Sequence, residues 1–151
     1  MLGRAMRRAL ARPLAAPRQL TDAEKALLPA VMAASIDLGA VRVVGRFHNP
    51  VAAFLNQSVV RGARIFWAHA PVEAKTISER AHLAHELVHV WQYEFLRRSG
   101  LEILMHRRYR YELSAGTPFA AYGFEQQAAI VEDGLRAGAL GAVAEGRRPI
   151  R

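Results

Sequence analysis

The chain has 151 residues, 52% of them hydrophobic and 23% charged, with a net charge of +8 and no cysteine. A domain of that length hides roughly 70% of the surface its unfolded form exposes, so a core and a buried site can form without covalent staples. The absence of thiols excludes disulfide scaffolds, cysteine nucleophiles and thiolate metal sites, which leaves histidine and carboxylate as the available ligands. Of the 21 basic residues 19 are arginine, an imbalance that coding composition produces on its own, so the charge is weak evidence for a polyanionic partner.

Residues 1–18 carry five arginines, no acid, Pro13 and Pro17, and read as a flexible basic leader. They lack the apolar core of a secretory signal and only superficially resemble an organellar transit peptide. No apolar run in the chain reaches the roughly 18 residues of a transmembrane helix. A single domain is expected over 19–138, with a loose tail at 139–151.

A capping box of Thr21 and Glu24 opens a helix whose apolar face is Ala26, Leu27, Ala30, Val31 and Ala34. Pro29 kinks or shortens it, and Gly39 stops it. Val41 and Val43 alternate with Arg42 as a strand does, and Asn49-Pro50 signals a turn after it. Val59 to Trp67 reads as strand, folded as a hairpin through Arg61-Gly62, with Ile65 and Trp67 on one face. A second capping box, Thr76 with Glu79, opens a helix expected to run to Arg97 or Arg98 and stop before Gly100. Further helices are expected over 101–113 and from Phe124 to Arg136, the last ending at Gly138. Helices with a few strands between them make the expected class α+β.

Inside the Thr76 helix stands His85-Glu86-Leu87-Val88-His89, a match to H-E-x-x-H. Four residues of helix separate the two histidines by about 40 degrees, so both rings address one point. Zn²⁺ takes neutral imidazole nitrogen, and one rigid element delivers two such ligands without a loop to order. The intervening glutamate is placed to accept a proton from water at the metal, which is a hydrolase's division of labour. From this composition, chance would supply about 0.015 such pentapeptides in a chain of this length, which argues against coincidence. His82 shares the same face as an alternate ligand or a surface residue.

A catalytic zinc site needs a third protein ligand and an open position. Downstream candidates are Glu102, His106, Glu112, Glu125, Glu132 and Asp133. Glu125 is preferred, because it opens a helix 36 residues beyond His89, enough chain to return antiparallel to the first. Glu132 lies about 10.5 Å further along that helix, too far to ligate as well. It or Asp133 can instead orient a histidine by accepting its second ring N–H.

These segments, with Tyr122-Gly123-Phe124-Glu125-Gln126-Gln127-Ala128 and Ile130-Val131-Glu132-Asp133, resemble a bacterial family of small zincin-like proteins linked to Vgr and Rhs components of secretion systems. That family is loosely similar to the metallopeptidase-like core domain of extracellular contractile injection systems. Leu20-Thr21, Ile36-Asp37 and Val41-Arg42-Val43 extend the resemblance over residues 19–134. It implies a minimal zincin-like domain, a small sheet packed on the HExxH helix and further helices. It also implies His85, His89 and Glu125 as zinc ligands, Glu86 as general base, Vgr or Rhs components as partners, and a cytoplasmic protein before export. Gly134 departs from the pattern where an aromatic is expected, and His48 and His69 have no counterpart.

The expected activity is zinc-dependent hydrolysis of a peptide or cell-wall peptide amide, with Tyr122 as best-placed oxyanion donor and Tyr111 and His106 behind it. An extended substrate can pair with the strand holding Ile65, Phe66 and Trp67. Two other classes compete. One is a catalytically silent zinc-containing adaptor of a secretion system. The other, less supported, is a basic nucleic-acid-binding module built on Arg97-Arg98 and Arg107-Arg108-Tyr109-Arg110-Tyr111.

Overall fold

The computed structural model describes residues 16–99 and 110–138. Its elements are β1 (Arg18–Gln19), α1 (Asp22–Lys25), α2 (Ala30–Ala33), β2 (Arg42–Val44), α3 (Pro50–Leu55), β3 (Val59–Arg61), β4 (Arg64–Phe66), α4 (Ile77–Glu94) and α5 (Phe124–Arg136). The class is α+β, as the order of strand and helix patterns indicates. The four strands lie in the order β1-β2-β4-β3. Only the β2–β4 pair is parallel, with Val43 opposite Ile65, and Val60 faces Ile65 from the other side.

The core forms where Val41, Val43, Val60 and Ile65 of the sheet region meet Leu83, Leu87 and Val90 of α4, all buried in one cluster. Ala128, Ile130 and Val131 of α5 join that cluster, so α4 is covered from two sides. That explains a helix with apolar residues around most of its circumference and only a few polar positions inside. Those few polar positions are the site.

Both capping boxes form. Thr76 Oγ1 accepts from the Glu79 amide at 3.1 Å while Glu79 accepts from the Thr76 amide at 2.9 Å, which fixes where α4 begins. The first box does more than cap. Glu24 is fully buried, receives both Arg18 guanidinium nitrogens at 2.8 Å, and accepts the Ala74 amide at 2.8 Å. Arg18 also donates to the Pro71 carbonyl, so the chain's first strand is tied to the segment that leads into α4. Arg18, counted with the leader from its sequence, is therefore part of the fold.

Several boundaries differ from the sequence reading. The expected helix from Thr21 to Gly39 is two short helices parted at Pro29, and Gly39 lies in a 3₁₀ turn whose Asp37 accepts the Gly39 amide. Asn49-Pro50 is a helix start rather than a bare turn: Asn49 Oδ1 accepts the Ala52 amide at 2.8 Å, and proline occupies the first turn, where its missing N–H costs nothing. Helix α4 stops at Glu94, three residues early, and Arg97 takes the left-handed conformation (φ 55°) expected of a glycine. Of the helix expected at 101–113, residues 101–109 lie outside the described residues and 110–113 have no regular structure. The tail at 139–151 and leader residues 1–15 also lie outside them. Helix α5 runs Phe124–Arg136 as its periodicity indicates, with Gly138 at φ 71° closing it.

Candidate metal centre

Helix α4 presents His85 and His89 one turn apart, and the first turn of α5 presents Glu125 to them. His85 Nε2, His89 Nε2 and Glu125 Oε2 stand 3.2 Å from one another on all three sides. Three donors each about 2.0 Å from a tetrahedral ion stand about 3.3 Å apart, so this triangle has the size of one face of a zinc coordination sphere. These residues lie close enough together to hold a metal ion.

The hydrogen bonds behind the triangle determine which nitrogens face it. Gln92 donates its amide to the Phe124 carbonyl and to Gln127 Oε1, both at 3.0 Å. Its own oxygen therefore faces His89 Nδ1 at 2.8 Å and must accept a proton from it. Glu132, an acceptor when ionised, takes His85 Nδ1–H at 3.0 Å. With both Nδ1 atoms committed as donors, both Nε2 atoms turn inward beside a carboxylate oxygen. Three lone pairs converging in a buried place call for a cation.

A proton on His85 Nε2, shared with Glu125, can take the cation's place, and the ionisation of the groups reflects the same demand for positive charge. Burial works against a charged His85, yet its hydrogen bonds to Glu125 and Glu132 prevail and raise its pKa from 6.5 to about 10. Burial likewise works against ionised Glu125, but hydrogen bonds from His85 and His89 hold it down at about 2. Glu132 is lowered first by His85, against some burial, and further by Arg136, which donates to its other oxygen at 3.0 Å. The centre thus favours positive charge surrounded by carboxylate.

The cluster opens into a cleft of about 930 Å³. Glu86, nearly buried, lines it beside the two histidines, with His82, Ser58, Trp67 and Tyr93 along the wall. The edge strand at this cleft is β3: Val59, Val60 and Arg61 line it, and among the described residues β3 pairs with β4 alone. The sequence reading gave that position to the Ile65–Phe66–Trp67 strand, but β4 is bonded on both sides and has no free edge.

Other candidates fall elsewhere. Tyr122 is not brought to the cluster: its hydroxyl donates to the Glu112 carbonyl and accepts the Ser114 amide, both at 3.3 Å. Tyr111 bonds Asp133, which leaves Glu132 as the carboxylate that orients a histidine. Glu112 is exposed, and Glu102 and His106 lie outside the described residues. His82 is not in the cluster; its ring centroid lies 4.7 Å from that of Trp67 and its Nε2 bonds Ser58 Oγ at 2.9 Å. Gln92 was missed as a functional residue. The available signal was a polar side chain three residues after His89, on the inward face of a helix whose neighbours there are apolar.

Fold and cluster together define a small α+β domain carrying a candidate metal site. No family model and no curated protein matches the chain. A solved structure does: the effector domain of Pseudomonas aeruginosa VgrG2b has a TM-score of 0.67, covering 93% of this chain and 87% of that one at 23% identity. At that identity the likeness is one of fold.

Proposed function

We propose that this chain is a zinc-dependent hydrolase of peptide or cell-wall peptide bonds, with His85, His89 and Glu125 as ligands and Glu86 as general base, deployed by a Vgr-linked bacterial secretion system. The carrying observation is the triangle of donor atoms 3.2 Å on a side, with both outer imidazole nitrogens already committed. Its size and its histidine–carboxylate chemistry favour zinc over calcium or magnesium, which prefer oxygen-rich spheres. Fold likeness to an effector domain of VgrG2b supports the secretion-system setting.

When bound, zinc would supply a Lewis acid that acidifies water and polarises the scissile carbonyl. Glu86 follows His85 on α4 and faces the cleft, where its carboxylate takes the proton of the attacking water and returns it to the leaving amine. Glu132 and Gln92 keep both histidines in the tautomer that faces inward. The free edge of β3 offers backbone groups to an extended chain beside the cluster. Tyr122 has no part in this scheme, since its hydroxyl is engaged with the 112–114 segment.

The test is metal analysis of the purified protein together with cleavage of peptide and peptidoglycan-peptide libraries by wild type and Glu86→Gln. About one zinc per chain in both, with cleavage by wild type alone, is the expected result. Stoichiometric zinc without cleavage by either assigns the chain to the adaptor class. Absence of zinc binding overturns both readings.

A further inference from the structure

The cleft beside the donor triangle has a direction. Ser58, immediately before β3, bonds His82 in the first half of α4, and Arg61, the last residue of β3, places Nη1 3.4 Å from the hydroxyl of Tyr93 near the helix end. Strand and helix therefore run in the same sense, and His85 and His89 lie between those two contacts. Tyr93 follows His89 by four residues, about 6 Å along the helix axis. Arg61 thus lines the cleft just past the donor triangle, at the end where α4 finishes.

Its charge has no counterpart among the described residues. Arg61 makes no ion pair there, and its side chain bonds Tyr93 alone. Glu94 approaches the hairpin at Gly62 without pairing with it. The other arginine of the cleft, Arg136, is neutralised by Glu132, while Glu79 is spent on the cap of α4 and Glu125 on the two histidines. Across the hairpin Arg61 stands directly opposite Arg64, and Arg64 stands opposite Arg42, so three arginines line up over three neighbouring strands. Like charges in that position destabilise a strand pair. Arg42 donates to the Gly39 and Val41 carbonyls, and neither it nor Arg64 ion-pairs among the described residues. Such a row gains from an anion, and Arg61 is its member that lines the cleft. A guanidinium with most of its donor fork unspent matches a carboxylate, which it can hold through two parallel hydrogen bonds.

We propose that Arg61 is a specificity residue that holds a carboxylate of the substrate. This rests on the hydrolase reading above. An extended peptide pairs most stably with an edge strand when it runs antiparallel to it. A chain antiparallel to β3 passes its N-terminal part by Arg61 and its C-terminal part by His82. Extended residues rise about 3.4 Å each, so a distance of about 6 Å sets Arg61 against a side chain within two residues on the N-terminal side of the bond that is cut. The carboxylate is then that of a glutamate or aspartate, and the preferred substrates are acidic peptides. A chain-terminal carboxylate would reach Arg61 only through the opposite, parallel pairing.

The experiment offers the zinc-loaded full chain pairs of peptides that differ only as Glu or Gln at one position, scanned along the substrate, each with a free and with an amidated C-terminus. Wild type, Arg61→Gln and Arg64→Gln are compared by the ratio of kcat/KM within each pair. Wild type should prefer Glu by about tenfold at one position N-terminal to the cut, through KM, the low end of what a hydrogen bond to a charged group supplies. Arg61→Gln should bring that ratio to about one. Arg64→Gln, which removes the same charge outside the cleft, should keep it. A tenfold preference for the free over the amidated C-terminus that Arg61→Gln loses upholds the carboxylate site and assigns its source to the chain end. Absence of either preference in wild type overturns the proposal, as does a preference that Arg61→Gln keeps or that Arg64→Gln loses equally.

A binding readout separates this site from turnover. Fluorescence anisotropy of the same peptides, labelled, gives their affinities for zinc-loaded Glu86→Gln protein with and without Arg61→Gln. Should wild type cleave nothing, the hydrolase reading falls, and a Glu preference in affinity that Arg61→Gln removes still upholds the carboxylate site. Equal affinities within the pairs, or no binding, overturn it.

Discussion

A histidine that is to bind a metal must keep one nitrogen bare, and for His89 that choice is made two residues away in contact rather than in sequence. His89 is turned inward by Gln92, whose own orientation is fixed by the Phe124 carbonyl, so a backbone atom at the start of α5 sets the tautomer of a ring on α4. His85 is turned inward by Glu132. Replacing a ligand and replacing its orienting partner should therefore differ in degree. His85→Ala, His89→Ala and Glu125→Ala should each abolish stoichiometric zinc binding, whereas Glu132→Ala and Gln92→Ala should weaken it by about 10- to 100-fold. Competition against a chelator of known affinity measures both. A Glu132 or Gln92 variant with wild-type affinity would mean that the rings hold their orientation by packing alone.

At the scale of elements, the placement of α4 depends on a contact that a capping motif does not announce. Thr21-x-x-Glu24 reads as a helix start and is one, but Glu24 also accepts Arg18 and the Ala74 amide while fully buried. Burial raises its pKa and the bonds from Arg18, Ala74 and Thr21 outweigh that, leaving it below the usual 4.5. A carboxylate depressed in this way contributes stability that is present above about pH 4.5 and drains away as pH falls through its folded-state value. Wild type should thus be more stable than Glu24→Gln near neutrality, and the gap should narrow below pH 4.5, as thermal melts across that range would read. Glu24→Ala, which strands the Arg18 guanidinium, should cost about 3 kcal/mol or more. Deleting residues 1–15 should leave the melting temperature unchanged, whereas deleting 1–18 removes Arg18 and should lower it; equal melts for the two truncations would show that the ion pair contributes nothing.

Elements defined by local chemistry were legible: both capping boxes, the α5 span, and the pairing of His85, His89 and Glu125 through helical spacing and chain length. Elements defined by what lies across from them were not. Pro50 and Asn49 carry the same letters in a turn and at a helix start, and only packing decides between them. The edge of the sheet could not be read because strand order depends on a parallel β2–β4 pairing that skips β3. Tyr122 lies three residues from the candidate ligand Glu125 in sequence, yet that proximity says nothing of direction, and its hydroxyl follows the 112–114 segment instead.

Over the whole molecule, the donor triangle joins the two helices that share the most extensive contact among the described elements, two candidate ligands from α4 and one from α5. Anything that binds this folded arrangement and not the unfolded chain stabilises by mass action, by about 4 kcal/mol at a free concentration a thousand times its dissociation constant. For a chain of this size each kcal/mol moves the midpoint by about 2–4 °C, so saturating zinc should raise the melting temperature by about 8–16 °C, and a strong chelator should reverse it. Glu86→Gln should show the same rise, since Glu86 is proposed as general base and not as ligand, while Glu125→Ala should show almost none. The comparison also separates structure from chemistry. If zinc raises the melting temperature of wild type and Glu125→Ala alike, the ion binds elsewhere and the triangle is not its site; if it raises wild type and Glu86→Gln alone, the two helices are closed by the ligands assigned here, and any difference between those two proteins in cleavage belongs to the proton Glu86 carries.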